Sequence, residues 1–155
     1  MLWVNLRHLE ARAIRLQGEL PAAEMDFCVH DEMIRAERPV FYDFTVEKLR
    51  NGLLLSGTLR LVLDCVCVRC LTPFEYELVL AGWKCHLPFS GEDRVRVEND
   101  GVDLTPFVRE DILLEFPRHP LCRPDCAGLK TGQGRKPARE VFQPPVWAEL
   151  NKLKW

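Results

Sequence analysis

Val40-Phe-Tyr-Asp-Phe-Thr-Val46, then Asn51-Gly52, then the run Leu53–Val68 (LLLSGTLRLVLDCVCV) decide the fold. The first segment is aromatic and β-branched, and the second is dense in Leu and Val. Both favour the pleated, half-buried surface of a sheet. Asn-Gly between two such runs predicts a hairpin with a type I′ turn, whose central residues need positive φ. Working outward, Phe74-Glu-Tyr-Glu-Leu-Val-Leu80 alternates with a period of two and predicts a further strand after Pro73. Pro88 to Asp93 is expected as loop and Arg94–Glu98 as a short strand with Val95 and Val97 on one face. Upstream, Leu2, Val4 and Leu6 alternate, and Ile14, Leu16 and Leu20 continue the pattern, with Gly18 as a bulge or bend. Pro21 to Asp26 suits a short helical turn. The stretch from Phe27 to Ile34 is ambiguous between classes.

The period changes at Asp103. Asp103 is a good N-cap, Pro106 fits a first helical turn, and Leu104, Phe107, Val108 and Ile112 recur at helical spacing. Pro117 stops that helix. Residues 117–139 carry four prolines and three glycines and are expected to be irregular unless something ties them down. After Pro144-Pro145, Val146, Trp147, Leu150 and Leu153 share one face of a last helix. The expectation is a single domain over 1–155 of the α+β class. It has an antiparallel, meander- or barrel-like sheet (β-rich 1–98), one packing helix (103–116), an irregular cysteine-bearing basic loop (117–139) and a C-terminal helix (145–154).

Composition narrows the function classes. The 155 residues are 47% hydrophobic and 28% charged, with 21 Lys+Arg against 23 Asp+Glu and a net charge of −2. That is ordinary globular composition, which argues against a disordered chain and against a uniformly basic coat for nucleic acid. One domain of this size buries roughly 70% of its unfolded surface. No apolar run approaches the ~18 residues of a membrane span. The first twelve residues lack a signal peptide's apolar core and small-residue cleavage site. A soluble, cytoplasmic protein is expected.

Seven cysteines are an odd count, and without a secretion signal they are poor evidence for a disulfide framework. Cys67-Val-Arg-Cys70 is a C-x-x-C pair where a strand runs into a turn. Cys122-Arg-Pro-Asp-Cys126 is a C-x₃-C pair in the irregular segment. Two such pairs suit a tetrahedral zinc site, with turn N–H groups free to bond the sulfurs. The competing readings are a thiol redox pair, which normally sits at a helix start in a βαβ unit, and thiols left from a lost metal site. Bound zinc can contribute on the order of 10 kcal/mol, enough to order a loop with little apolar content. Cys28, Cys65 and Cys85 read as small buried hydrophobes, with Cys65 a conceivable replacement ligand on the strand face of Cys67.

Taken in order, Gly57, Cys67-Val-Arg-Cys70-Leu-Thr-Pro-Phe74, Val102-Asp-Leu104 with its acidic helix, Phe116-Pro117, and Pro120-Leu-Cys122 to Cys126-Ala-Gly-Leu129 resemble the YceD family. That family is described as the bacterial large ribosomal RNA subunit accumulation protein, with chloroplast relatives. The resemblance covers roughly Gly52 to Leu129. It implies a cytosolic factor needed for large-subunit (23S) ribosomal RNA to accumulate. Many members carry a further C-x-x-C after Gly-Leu. Here Lys130 and Gln133 stand in those places, followed by Gly134, so the chain keeps only Cys67, Cys70, Cys122 and Cys126 of the family's set.

Charge is segregated. Residues 117–139 hold Arg118, Arg123, Lys130, Arg135, Lys136 and Arg139 against Asp125, a local +5; the remaining 15 basic and 22 acidic residues leave −7 elsewhere. A basic segment binds phosphates by displacing counterions, without sequence choice. The other reading is a merely solvated loop, and the resemblance favours RNA or a precursor particle as partner. Glu110, Asp111 and Glu115 offer a second surface, suited to a basic ribosomal protein or simply to water. Nothing requires an enzyme. His8, His30, His86 and His119 are scattered, no nucleotide loop or nucleophile elbow occurs, and Cys85-His86 point to opposite faces of a strand. The expected function is a non-enzymatic ribosome-biogenesis factor. The alternatives are a protein-binding adaptor without RNA contact and a thiol redox protein.

Overall fold

The computed structural model describes residues 1–9, 12–27 and 32–129. The expected helix at 145–154, together with Cys28, His30, Lys130, Arg135, Lys136 and Arg139, lies outside them. The elements in chain order are β1 (Trp3–Asn5), β2 (Ile14–Leu20), α1 (Ala22–Met25), β3 (Ile34–Arg35), β4 (Val40–Leu49), β5 (Gly52–Val66), β6 (Pro73–Pro88), β7 (Gly101–Asp103) and α2 (Thr105–Leu114). The class is α+β: a curled antiparallel half-barrel with two helices among the described residues.

β5 is the axis of the main sheet. β4 pairs with its first half, β3 with Asp64 and Cys65, and β6 with its whole length; β2 completes the sheet beyond β4. Alternation sets the core face. Leu53, Leu55, Leu59, Leu61 and Leu63 are fully buried, while Thr58 and Arg60 between them are exposed. Gly57 sits opposite Phe44, and a Cβ there would lie 2.3 Å from the Asp43 carbonyl oxygen, so the strands close only over a glycine. Across β5, Thr58 pairs with Ala81 and Gly57 with Trp83, leaving Gly82 as an extra residue at φ +70. This bulge turns Trp83 into the core. Its ring meets Phe44 edge-on at 5.3 Å, and its Nε1 donates to Asp111 on α2 at 2.6 Å.

α2 closes the core with Leu104, Val108 and Ile112 at zero exposure. A small second sheet, β1 with β7, holds its N-terminal end: Leu2 N donates to Thr105 Oγ1 and Leu104 N to the Leu2 carbonyl, both at 2.8 Å. No helix among the described residues is long and apolar enough to cross a membrane.

Several local expectations change. The β4–β5 hairpin forms, but its turn residues are Arg50 and Asn51, neither at positive φ. Gly52 already pairs with Leu49, and it is glycine because a Cβ would lie 2.4 Å from the Leu87 carbonyl oxygen. A pair at positive φ occurs instead at Asn99 and Asp100, between the bridged residues Glu98 and Gly101. Arg94–Glu98 is therefore not a strand beyond that one bridge, and Val95 is buried while Val97 is 44% exposed. Gly18 neither bulges nor bends; it stays in register opposite Tyr42, whose hydroxyl would lie 2.7 Å from a Cβ. β6 runs on to Pro88. The N-cap of α2 is Leu104, while Asp103 Oδ1 accepts the Thr105 N–H at 2.9 Å from one residue further out. The helix ends at Leu114, short of Phe116.

Candidate metal centre

The site lies where β5 gives way to β6. The Cys67 N–H donates to the Thr72 carbonyl at 3.0 Å and the Leu71 N–H to the Cys67 carbonyl at 2.9 Å, closing a tight turn with Leu71 at φ +59. Cys67 and Cys70 project from this knuckle. The second pair arrives from beyond α2. Pro120 is buried, and its carbonyl accepts the Val68 N–H at 3.0 Å. The Cys126 N–H donates to the Arg123 carbonyl at 3.2 Å, and Arg69 reaches across the gap to donate to the Cys126 carbonyl at 3.1 Å. Gly128, at φ +85, takes the chain away beside the Arg69 carbonyl.

These ties bring four sulfurs together. Cys67 and Cys126 Sγ are 3.8 Å apart, Cys70 and Cys122 Sγ 3.7 Å, and all four lie within 4.8 Å of one another. A regular tetrahedron with Zn–S bonds of about 2.3 Å has its sulfurs about 3.8 Å apart. Two of the separations match that edge and the rest lie within 4.8 Å, so the four residues could hold a metal ion.

The surroundings suit thiolates unevenly. The Cys67 thiol is held down to about 6, first by the Cys122 backbone N–H and then by those of Cys70 and Arg69, against the opposing effect of burial. Cys70 is lowered as well, by the Thr72 hydroxyl 3.3 Å away and the Thr72 backbone. Cys122 is pushed up to about 12, by burial and then by the neighbouring cysteine sulfurs. That is the electrostatics of a cage for a cation: N–H groups aim at the sulfurs, and the sulfurs repel one another until positive charge enters among them.

The remaining sequence candidates are placed as follows. Arg118, His119 and Arg123 are exposed on the loop, and Arg123 borders a cleft of about 430 Å³ with Cys70, Thr72, Cys122, Cys126 and Gly128. Phe116 packs on Phe27 with ring centroids 5.7 Å apart. Cys65 is core, pointing with the β5 leucines and outside the sulfur cluster. Cys85 is half-buried, its thiol pushed up to about 11 by burial and then by Asp111 and Glu110. On the acidic helix, Asp111 is engaged by Trp83, and Arg109 donates to the Asp26 carbonyl. The sequence reading missed Arg69 and Thr72. Arg69 lies inside the C-x-x-C pair and Thr72 two residues after it, and that nearness was the available signal.

A family model described as large ribosomal RNA subunit accumulation protein YceD matches residues 55–154. Uncharacterized proteins of Mycobacterium tuberculosis and Mycobacterium bovis are 33% identical over 124 residues, covering 72% of this chain and 60% of theirs. An uncharacterized protein of Mycobacterium leprae is 30% identical over 128 residues, covering 74% of this chain and 59% of its own length. The chain thus spans about three-fifths of the curated relatives it matches. No solved structure matches.

Proposed function

The chain belongs to the YceD family, and on that premise we propose that it is a non-enzymatic cytoplasmic factor supporting accumulation of large-subunit ribosomal RNA by binding that RNA or a precursor particle. Zinc at Cys67, Cys70, Cys122 and Cys126 would pin the start of the basic segment to the end of the sheet. Arg118, Arg123, Lys130, Arg135, Lys136 and Arg139 would then meet backbone phosphates. One observation carries the reading. Sulfurs from two segments 52 or more residues apart converge to within 4.8 Å of one another, two of the pairs at 3.7 and 3.8 Å, at the point where the +5 stretch begins. An all-thiolate tetrahedral set favours zinc over harder cations.

The adaptor reading is weaker. Of the acidic helix residues, Asp111 is already taken by Trp83, which leaves Glu110 and Glu115 exposed. The test is a salt titration of the full chain on large-subunit ribosomal RNA fragments. Each phosphate contact to a single strand contributes about 0.7 to the slope of log affinity against log salt. Arg118→Glu with Arg123→Glu, and separately Arg135→Glu with Lys136→Glu and Arg139→Glu, should weaken binding and flatten that slope. Variants that bind like the parent chain would overturn the RNA reading; if they also still capture a basic ribosomal protein, the adaptor replaces it.

A further inference from the structure

The four sulfurs are not equivalent. Cys67 is fully buried and Cys126 is 6% exposed, whereas Cys70 and Cys122 are only half-buried. Cys70 and Cys122 come from different segments, open on the same cleft beside Thr72 and Arg123, and have their sulfurs 3.7 Å apart. Cys67 does not line that cleft; Cys126 borders it but is the more buried of the three that do.

We propose that Cys70 and Cys122 form a modification site, at which hydrogen peroxide entering the cleft oxidises them to an inter-segment disulfide while Cys67 and Cys126 stay reduced. The Cys70 sulfur attacks one peroxide oxygen. An S–O bond forms, the O–O bond breaks, and the departing hydroxide leaves as water with the thiol proton. The Cys122 sulfur then attacks the sulfenic sulfur. The S–S bond forms, the S–O bond breaks, and a second water carries off the Cys122 proton. Two thiols give up two electrons and the peroxide accepts them.

The geometry permits the closure. A disulfide needs sulfurs at about 2.05 Å, and both residues sit in turns outside the β5–β6 ladder, where a small approach breaks no strand pairing. Oxidation would take two of the four ligands from a bound metal, yet keep the loop tied to the knuckle by a covalent bond. The inference rests on the four-cysteine grouping of the metal reading, though not on the metal being bound.

The experiment uses the full chain with its zinc content measured beforehand. It is treated with limiting hydrogen peroxide, quenched with an alkylating reagent under denaturing conditions, digested without reduction and mapped by mass spectrometry. The expected first product is the Cys70–Cys122 disulfide, with Cys67 and Cys126 still alkylated and zinc released in step. A first disulfide joining Cys67 to Cys70 or Cys67 to Cys126, or Cys70 driven to sulfinic acid alone, overturns the proposal. Cys122→Ser should lose the disulfide and accumulate trappable sulfenic acid at Cys70; if that variant does not fold, the parent-chain map decides. Protein that purifies reduced and without zinc yet forms Cys70–Cys122 first upholds this inference and refutes the zinc reading. A zinc-loaded sample that forms another pair does the reverse.

Discussion

The half-barrel and the loop at its end are held by different physics. Along β5, five leucines are fully buried and α2 adds Leu104, Val108 and Ile112, so the sheet is held by apolar area removed from water. Between Pro117 and Leu129, only Pro120 and Cys126 are buried. That segment is held by the Val68 and Arg69 hydrogen bonds to its carbonyls and by the sulfur cluster. The contrast teaches that one chain can carry a core held by apolar burial and an appendage with little of it, whose four sulfurs could hold a metal ion, and that perturbations should separate them.

The largest effect should come from the sulfurs. Structural zinc contributes on the order of 10 kcal/mol, so chelation, or Cys67→Ser, should abolish hydrogen-exchange protection at the Val68 and Cys126 amides. The β5–β6 ladder should stay protected. Loss of both together would break the comparison, because the sheet would then depend on the metal too. Leu61→Ala comes next. It deletes a fully buried side chain and should cost about 2–5 kcal/mol in urea unfolding, with zinc content unchanged while the protein is folded.

These first two outcomes bear on what the sequence could reveal. The leucine run, the hairpin and the helical face at Leu104, Val108 and Ile112 were legible because burial leaves a periodicity. The grouping of the four cysteines was legible because C-x-x-C and C-x₃-C spacing is local within each pair. What was not legible depends on contacts across strands. Gly52 and Gly18 look like turn and bulge residues in one dimension, yet each is small because of a neighbour's atom, the Leu87 carbonyl and the Tyr42 hydroxyl. Likewise Gly82 marks a bulge only once Gly57 and Thr58 are known to face it. The Arg69 clip needed the loop in place before its partner existed.

A smaller effect follows from that lesson. Gly57→Ala would force a Cβ to within 2.5 Å of Phe44 Cβ and closer still to the Asp43 carbonyl, at a cost of about 1–3 kcal/mol. Thermal unfolding checks it, and the sulfur site should be indifferent. The smallest effect is at the surface. Arg15 bonds Asp43 through both carboxylate oxygens and holds its carboxyl below the ordinary aspartate range. A lowered folded-state pKa contributes stability above the unfolded value of about 3.9 and loses it as pH falls through the folded one. Both side chains are exposed. Asp43→Asn should therefore lower the neutral-pH midpoint only slightly and flatten the acid limb of a pH–stability profile by the same small amount.

The central claim is that a metal, not apolar burial, holds the loop to the sheet. Elemental analysis of the folded protein, purified under reducing conditions, tests it most directly. The account predicts about one zinc per chain for a single four-cysteine site, lost in Cys67→Ser. Reduced, folded protein with essentially no zinc and with the Val68 and Cys126 amides still protected would contradict it.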